Sequence, residues 1–170
     1  MIEVKFKKLV PEAKIPAYAK PGDAGMDLTA TSYKYDEKLD NHIYGIGLAV
    51  EIPEGYVGLI FPRSSNNKTT HYLTNHVGVI DSGYRGEIMC IFKSRDHYKI
   101  VNGVASAIQP DFIECDGRFI ASEELHAPYN VGDRIAQLII MPYPQIVPIE
   151  ATELSETERG EGGFGSTGTK

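Results

Sequence analysis

The chain has 170 residues, a length that suits one domain with its own hydrophobic core. Apolar residues make up 42% and charged residues 24%, as in a globular protein, and no run reaches the ~20 apolar residues of a transmembrane helix. The net charge of −6 argues against non-specific nucleic-acid binding, which requires a basic face. Charged and apolar residues alternate from the start, unlike a signal peptide, so we expect a cytoplasmic protein. Cys90 and Cys115 lack metal-type spacing, and Cys90 is expected in the core.

Alternating apolar and polar residues dominate the chain and predict short β-strands. The first clear strand covers residues 44–52, with Ile46, Leu48, Val50 and Ile52 on one face. A type I turn over residues 53–55 follows, and further strands are predicted over 56–61, 87–93 and 134–141. One short helix is predicted over residues 64–71, beginning with capping residues Ser-Ser-Asn-Asn. Short strands, turns and little helical periodicity predict an all-β sandwich or barrel.

Two segments differ from this pattern. Residues 94–131 are polar and irregular, and Asp116-Gly117 within them is a hairpin signal, so we interpret the segment as an inserted arm. Residues 159–168 are half glycine and cannot form a packed element alone. We therefore expect a β domain over residues 1–158 and a flexible glycine-rich lid over 159–170.

The stretch at residues 78–86 is the first candidate site. It has three glycines, with Asp81, Ser82, Tyr84 and Arg85 between them, and apolar runs on both sides. This pattern predicts a hairpin that turns at residues 81–84. A turn Asp commonly bonds its own backbone, but three glycines in nine residues indicate close approach to the backbone. Both interpretations stay open at this point.

Three further features suggest phosphate binding, each with an ordinary alternative. Arg63 follows a strand and precedes the predicted helix, where an anion is favoured, although a surface Arg beside a capped helix has the same pattern. Gln137 interrupts an apolar run and contacts either a ligand or neighbouring backbone. Phe164 stands among the tail glycines, as in a lid over a nucleotide or in a disordered tail.

Five stretches in this order resemble the trimeric dUTPase family. They are Ala24-Gly25-Met26-Asp27-Leu28, Pro62-Arg63-Ser64-Ser65, Gly78-Val79-Ile80-Asp81-Ser82-Gly83-Tyr84, Gly132-Asp133-Arg134-Ile135-Ala136-Gln137-Leu138 and Arg159-Gly160-Glu161-Gly162-Gly163-Phe164-Gly165-Ser166-Thr167-Gly168. The resemblance implies a jelly-roll-like β subunit with one short helix, assembled as a homotrimer whose active sites are shared between subunits. It implies hydrolysis of dUTP to dUMP and pyrophosphate, with Mg²⁺ held mainly by the triphosphate.

The resemblance also implies roles for individual residues. Asp81 corresponds to the aspartate that activates the attacking water, and Asp27 to a carboxylate near the water shell of the metal. The implied nucleoside contacts are Asn75, Gly78, Val79, Ile80, Tyr84 and Met89. The implied phosphate contacts are Arg63, Ser64, Ser65 and Gln137. The implied lid contacts, with Phe164 stacking on uracil, are Arg159, Phe164, Gly165, Ser166 and Thr167.

The chain departs from the family pattern in two places. Ser65 stands where glycine is common, and the segment before Arg134 is longer than in compact members. Its placement is similar to that of an extra segment in some bacteriophage dUTPases, for which binding of a regulatory protein has been proposed. A second hypothesis is therefore a docking arm at residues 94–131, with Phe112, Phe119 and Tyr129 as exposed aromatics.

A dCTP deaminase is the nearest enzymatic alternative, because it shares the fold and an Arg-Ser-Ser stretch. Its general acid–base is a Glu that aligns with Ile91 here, and it lacks the glycine-rich ending.

Overall fold

The computed structural model describes residues 2–94, 98–101, 104–107, 112–115, 118–121 and 127–163. The strands in these residues are β1 (Lys5–Lys8), β2 (Met26–Thr29), β3 (Ser32–Asp36), β4 (Asn41–Gly45), β5 (Leu48–Glu51), β6 (Tyr56–Pro62), β7 (His71–Leu73), β8 (Gly78–Ile80), β9 (Met89–Ser94), β10 (Tyr98–Val101), β11 (Val104–Ala107), β12 (Phe112–Cys115), β13 (Arg118–Ala121) and β14 (Arg134–Pro142). A 3-10 helix, η1, covers Ser64–Lys68. Within these residues, no helix is both long and apolar enough to cross a membrane.

Two four-stranded antiparallel sheets enclose the core. The first sheet has the order β2-β14-β6-β8 and the second has the order β3-β4-β9-β7. Buried apolar side chains from both sheets, including Leu28 and Leu138 from the first and Tyr44 and Phe92 from the second, form one cluster. This arrangement confirms the predicted all-β sandwich. Cys90 lies in the cluster, where burial raises the pKa of its thiol to about 12, as expected for a core cysteine.

The predicted single strand over residues 44–52 is wrong. β4 ends at Gly45 and pairs with β9, whereas β5 begins at Leu48 and pairs with β1. The chain changes sheet at Gly47, whose φ of +67° suits glycine, and a Cβ there would lie 2.6 Å from Val10 Cγ2. Because strands pack on both sides of this segment, every residue from 44 to 50 is buried, instead of one alternating face.

The predicted helix is shorter and is not capped as expected. η1 ends at Lys68, and His71, the last residue predicted helical, begins β7. Its N-cap position is Arg63, and no side chain makes a capping hydrogen bond there. The turn before β6 forms where predicted, since the Tyr56 N–H donates to the Pro53 carbonyl at 3.2 Å. Gly55 has a φ of +78°, however, which is the geometry of a type II rather than a type I turn.

The strands predicted over residues 56–61, 87–93 and 134–141 are confirmed within two residues at their ends by β6, β9 and β14. β12 and β13 pair as a hairpin with Cys115 opposite Arg118, as the Asp116-Gly117 signal predicts, although these two turn residues lie outside the described residues. β10 and β11 form a second hairpin that the sequence did not predict.

Candidate active site

The residues after β8 line a cavity of about 250 Å³. All seven residues that the resemblance assigned to the nucleoside and the water border this cavity, together with Ile60, Glu87, Ile88 and Ile91. The seven are Asn75, Gly78, Val79, Ile80, Asp81, Tyr84 and Met89. Sequence positions up to fourteen residues apart are therefore brought to one concave surface, and we call it the turn cavity.

The turn itself is formed differently from the prediction. β8 pairs with β6 in the first sheet, whereas β9 pairs with β4 and β7 in the second. Residues 81–88 therefore cross between the two sheets, and the predicted hairpin between two paired strands is wrong. A tight turn does form at the predicted position, because the Tyr84 N–H donates to the Asp81 carbonyl oxygen at 3.0 Å.

The carboxylate of Asp81 does not close this turn. The backbone carbonyl of Asp81 accepts the turn hydrogen bond, and the residue is exposed at the cavity. Arg85 Nη1 stabilises the turn from outside by donating to the carbonyls of Ser82 at 2.6 Å and Tyr84 at 2.8 Å. The geometry therefore argues against the interpretation in which Asp81 only bonds its own backbone, and it leaves the carboxylate available to a ligand.

The remaining wall of the turn cavity is apolar and exposed. Val79 is 65% exposed and Met89 is 51% exposed, far more than large apolar residues in a closed core. The Tyr84 ring is fixed by its hydroxyl, which donates to the Glu87 carbonyl at 2.9 Å. Gly78 is closely packed, because a Cβ would lie 3.2 Å from Ile60 Cβ and 3.3 Å from Asn75 Nδ2. The cavity thus presents an apolar surface, an amide and two carboxylates, of which Glu87 bonds the Gly47 N–H and Asp81 is exposed.

A second cavity of about 460 Å³ lies at the other end of β6, between β2 and β14, and we call it the arginine cavity. Asp27 is its centre: Arg63 Nε donates to Asp27 Oδ1 at 2.6 Å, and Arg134 Nη1 donates to Oδ2 at 2.9 Å. Arg63 Nη1 also donates to Ser65 Oγ at 3.3 Å. Two guanidinium groups share one carboxylate, so these three residues keep a net positive charge that favours an anion, although Asp23 also lines the cavity.

Gln137 borders the arginine cavity, and one end of its amide is held by a hydrogen bond. Its Nε2 donates to the Pro62 carbonyl at 3.1 Å, so part of its hydrogen bonding is to neighbouring backbone, as one of the two interpretations proposed. Its Oε1 lies over Gly25, where a Cβ would be only 2.6 Å away. A side chain at position 25 would therefore displace the end of the Gln137 side chain.

The two cavities have no lining residue in common. Ser64 borders the arginine cavity, and Ser65 reaches it through its contact with Arg63. Arg159 is exposed in a local turn, in which its Nε donates to the Gly162 carbonyl at 2.9 Å. Phe164, Gly165, Ser166 and Thr167 lie outside the described residues. Among the residues that the structure describes, no group of three or more His, Cys, Asp or Glu side chains could hold a metal ion.

The profile of the dUTPase family matches residues 11–108 and 97–168 of the chain. The chain belongs to the dUTPase family. It is 34% identical over 173 residues to the deoxyuridine 5'-triphosphate nucleotidohydrolase of Alkaliphilus metalliredigens, with 100% of both chains covered. The enzyme of the same name from Clostridium kluyveri is 33% identical, with 99% of both chains covered.

Among solved structures, the chain is similar to the Staphylococcus bacteriophage 80alpha dUTPase with dUPNHPP. The TM-score is 0.72 and the identity 29%, with 99% of each chain covered. The predicted resemblance to dUTPases, including the phage-type members, is therefore confirmed, and so is the all-β, jelly-roll-like class.

The site of this dUTPase family member does not support the deaminase alternative. Ile91, at the position of the deaminase acid–base, is an apolar part of the turn-cavity wall. Glu87 borders the same cavity, but its Oε1 accepts a hydrogen bond from the Gly47 N–H at 2.8 Å. The carboxylate of Glu87, the Glu that borders the cavity, is thus bonded to the backbone of Gly47.

The sequence assigned no role to Gly25 or Arg134, although both lie within the stretches that carry the resemblance. The signal was present, because Gly25 precedes Met26-Asp27 and Arg134 begins the strand that carries Gln137. What the sequence did not contain is the pairing of β14 with both β2 and β6, which brings Arg134, Asp27 and Arg63 together.

Proposed function

We propose that the chain hydrolyses dUTP to dUMP and pyrophosphate, with Asp81 as the general base. The observation that carries the proposal is the exposed carboxylate of Asp81 in a cavity that also contains Asn75 and Tyr84. Family membership supports the choice of substrate, since the named relatives are deoxyuridine 5'-triphosphate nucleotidohydrolases. Such an activity keeps uracil out of DNA and supplies dUMP for dTMP synthesis.

The turn cavity is the proposed nucleoside site. The Asn75 amide and the backbone of residues 78–80 can bond the donor and acceptor edge of uracil, while cytosine would leave these groups unpaired. Tyr84, held by its bond to the Glu87 carbonyl, is the proposed platform for deoxyribose, where it leaves no room for a 2′-hydroxyl. Val79, Ile80 and Met89 complete the apolar surroundings.

The proposed reaction is a displacement by water at the α-phosphorus. The water oxygen bonds to phosphorus, the bond to the bridging oxygen breaks, pyrophosphate leaves, and one water proton passes to the Asp81 carboxylate. In such a reaction most of the acceleration comes from positioning and charge stabilisation, which suits a site of one base and several cations. Arg63, Ser64, Ser65 and Gln137 are the proposed phosphate contacts.

We further propose a homotrimer whose active sites are shared between subunits. One chain carries the proposed base and the proposed phosphate contacts in two cavities that have no lining residue in common. This separation supports a site in which a second subunit brings the two sets of residues together. The segment after β14 is also unsuited to solvent. Ile146 is 78% exposed, Val147 86%, Ile149 83% and Leu154 89%, and burial on a neighbouring subunit would remove this apolar surface from water.

We propose that Mg²⁺ enters this site bound to the phosphates of the substrate. The described residues contain no metal-binding cluster, and both carboxylate oxygens of Asp27 accept hydrogen bonds from arginines, so Asp27 is poorly placed as a direct ligand. Mg²⁺ commonly keeps its waters and binds through substrate phosphates, where it neutralises charge. A structural Mg(II) ion is described for the phage phi11 dUTPase, which is 25% identical over 91% of this chain, with a TM-score of 0.63.

The tail is the proposed lid. The proposed lid covers bound nucleotide, with Phe164 on the base and the polar residues on the γ-phosphate. Its contact residues are Arg159, Phe164, Gly165, Ser166 and Thr167.

Binding of a regulatory protein to the inserted arm stays a prediction from the sequence. Of its three aromatics, the structure describes the side chain of Tyr129 alone, and that side chain is partly buried, not exposed as predicted.

Pyrophosphate release from dUTP, dCTP, dTTP and UTP, measured side by side, tests the function. We expect dUTP to exceed dCTP in kcat/KM by about 10³ or more, since a site built for one hydrogen-bonding edge leaves polar groups unpaired with another. dTTP and UTP should also be poorer substrates for steric reasons, because thymine adds a methyl group and UTP adds a 2′-hydroxyl. Absence of release from dUTP, or equal release from dCTP, would contradict the proposal.

Replacing Gly25 with Ala should impair substrate binding through Gln137. The new Cβ would lie 2.6 Å from Gln137 Oε1, so the amide must leave its position. We expect KM for dUTP to rise about threefold to tenfold, the worth of one hydrogen bond. The matched control is Gly25→Ala in a Gln137→Ala background. There the added methyl group meets no amide, so it should not raise KM beyond the value for Gln137→Ala alone. A further rise in KM would show that Gly25 affects substrate binding by another route.

A further inference from the structure

Tyr129 lies near the end of the inserted segment, residues 94–131, and is anchored against the core. Its ring packs against Phe92, with 5.3 Å between ring centroids, and against Tyr44 at 6.2 Å. The Tyr44 hydroxyl donates to the Tyr129 carbonyl at 2.8 Å and accepts from the Tyr129 N–H at 3.1 Å. Ring and backbone are thus both fixed, so the position of the Tyr129 hydroxyl is well determined.

That hydroxyl contacts η1 from the side opposite to the solvent. It donates to Asn66 Oδ1 at 3.0 Å, and Asn66 is only 7% exposed. Asn66 Nδ2 donates to the His71 carbonyl at 3.1 Å, which orients the amide with its oxygen toward Tyr129. The Asn66 N–H donates to the Arg63 carbonyl at 2.9 Å, so Asn66 connects Tyr129 to the backbone of the arginine.

Ser65 immediately precedes Asn66 in the chain, and the Arg63 carbonyl accepts the Asn66 N–H, so both residues are next to this contact. Burial raises the pKa of Tyr129, while the charge of Arg63 opposes the rise. Arg63 Nη1 in turn donates to Ser65 Oγ at 3.3 Å. The hydrogen bonds therefore form a path from the core through Tyr129 and Asn66 to the backbone of Arg63, whose side chain contacts Ser65 and Asp27.

We propose that Tyr129 is a positioning residue that holds Ser65 and Arg63 in place for the triphosphate, and that it ties the inserted segment to the phosphate-binding residues. The inference rests on the proposed function, because it takes Ser65 and Arg63 as phosphate contacts. Tyr129 contacts η1 on its buried side, and we propose that its effect on triphosphate binding passes through Asn66 and Ser65. A displacement of the arm that moves Tyr129 would consequently weaken triphosphate binding without touching the nucleoside cavity.

Tyr129→Phe tests the proposal, because it keeps the ring packing and removes the hydroxyl. We expect the Kd of a non-hydrolysable dUTP analogue and the KM for dUTP to rise about threefold to tenfold, with kcat within about twofold. The Kd of deoxyuridine, a probe without phosphate, should not change. Tyr35→Phe is the matched control: its hydroxyl donates to Asp40 Oδ1 at 2.9 Å, away from both cavities, and its loss should change neither Kd.

A double-mutant cycle with Ser65→Ala shows whether Tyr129 acts through Ser65. We expect the double variant to bind the analogue about as weakly as Ser65→Ala alone. An unchanged analogue Kd in Tyr129→Phe, an equal rise for deoxyuridine, or additive effects in the cycle would each overturn the proposal. If the wild type releases no pyrophosphate from dUTP, the proposed function fails, while the analogue Kd of Tyr129→Phe relative to wild type still decides the role of Tyr129.

Discussion

Asp81→Asn should remove most dUTP hydrolysis while leaving nucleotide binding nearly intact. The amide has the size and shape of the carboxylate and can still orient a water, but it cannot accept the proton. We expect kcat to fall by about 10²–10⁴, the usual contribution of a general base, and the Kd of a non-hydrolysable dUTP analogue to change by less than about threefold. Pyrophosphate release and calorimetric titration measure the two quantities.

The control for this variant is Asp36→Asn. Asp36 Oδ1 accepts hydrogen bonds from the N–H groups of Lys38 and Leu39, and an asparagine oxygen can accept the same bonds. The change of charge is identical, but the residue borders neither cavity, so turnover should stay at the wild-type level. Undiminished pyrophosphate release by Asp81→Asn would show that another group takes the proton.

Truncation after Glu158 should cost hydrolysis far more than folding. The hydrogen bonds of the described lid residues are local: Arg159 Nε and the Gly162 N–H bond within the lid, and Gly160 bonds to Thr157. Residues 159–161 and 163 are exposed, so little packing is lost with them. We expect kcat/KM to fall by about 10² or more, because the lid excludes water and supplies phosphate donors.

The melting temperature of the truncated protein should stay within about 2 °C of the full chain, as for surface changes in general. A chain that ends at Gly168 is the matched control, since it lacks only Thr169-Lys170 and keeps every proposed lid contact. A large loss of thermal stability with little loss of turnover would mean that the tail is structural and not a lid.

The sequence predicted the strands of the sandwich well because their signals are local. β6, β9 and β14 alternate or run apolar for several residues, and turn residues bound them. The failures occurred where the chain changes sheet. Gly47 and residues 81–88 each connect strands that belong to different sheets, and a periodic pattern contains no information about which sheet a strand joins.

The candidate site divides in the same way. The residues of the turn cavity lie within one stretch of the chain, so the motif that contains Asp81 indicates them together. The arginine cavity needs β14 to lie between β2 and β6, which no local pattern specifies, and Arg134 and Gly25 were missed for this reason. Tyr129 was misassigned to the exposed arm because its burial depends on Tyr44 and Phe92, distant in sequence.

The salt bridge between Asp27 and Arg63 bears on how products leave. With no substrate bound, Asp27 is a resident counter-ion that keeps the guanidinium group oriented. An arriving triphosphate must compete with this internal anion, so ground-state affinity for phosphate is moderated. When pyrophosphate departs, the arginine returns to a partner already in place instead of an unpaired state. If Arg63 binds the triphosphate as proposed, the carboxylate would thus limit product inhibition at a site that would otherwise retain a polyanion tightly.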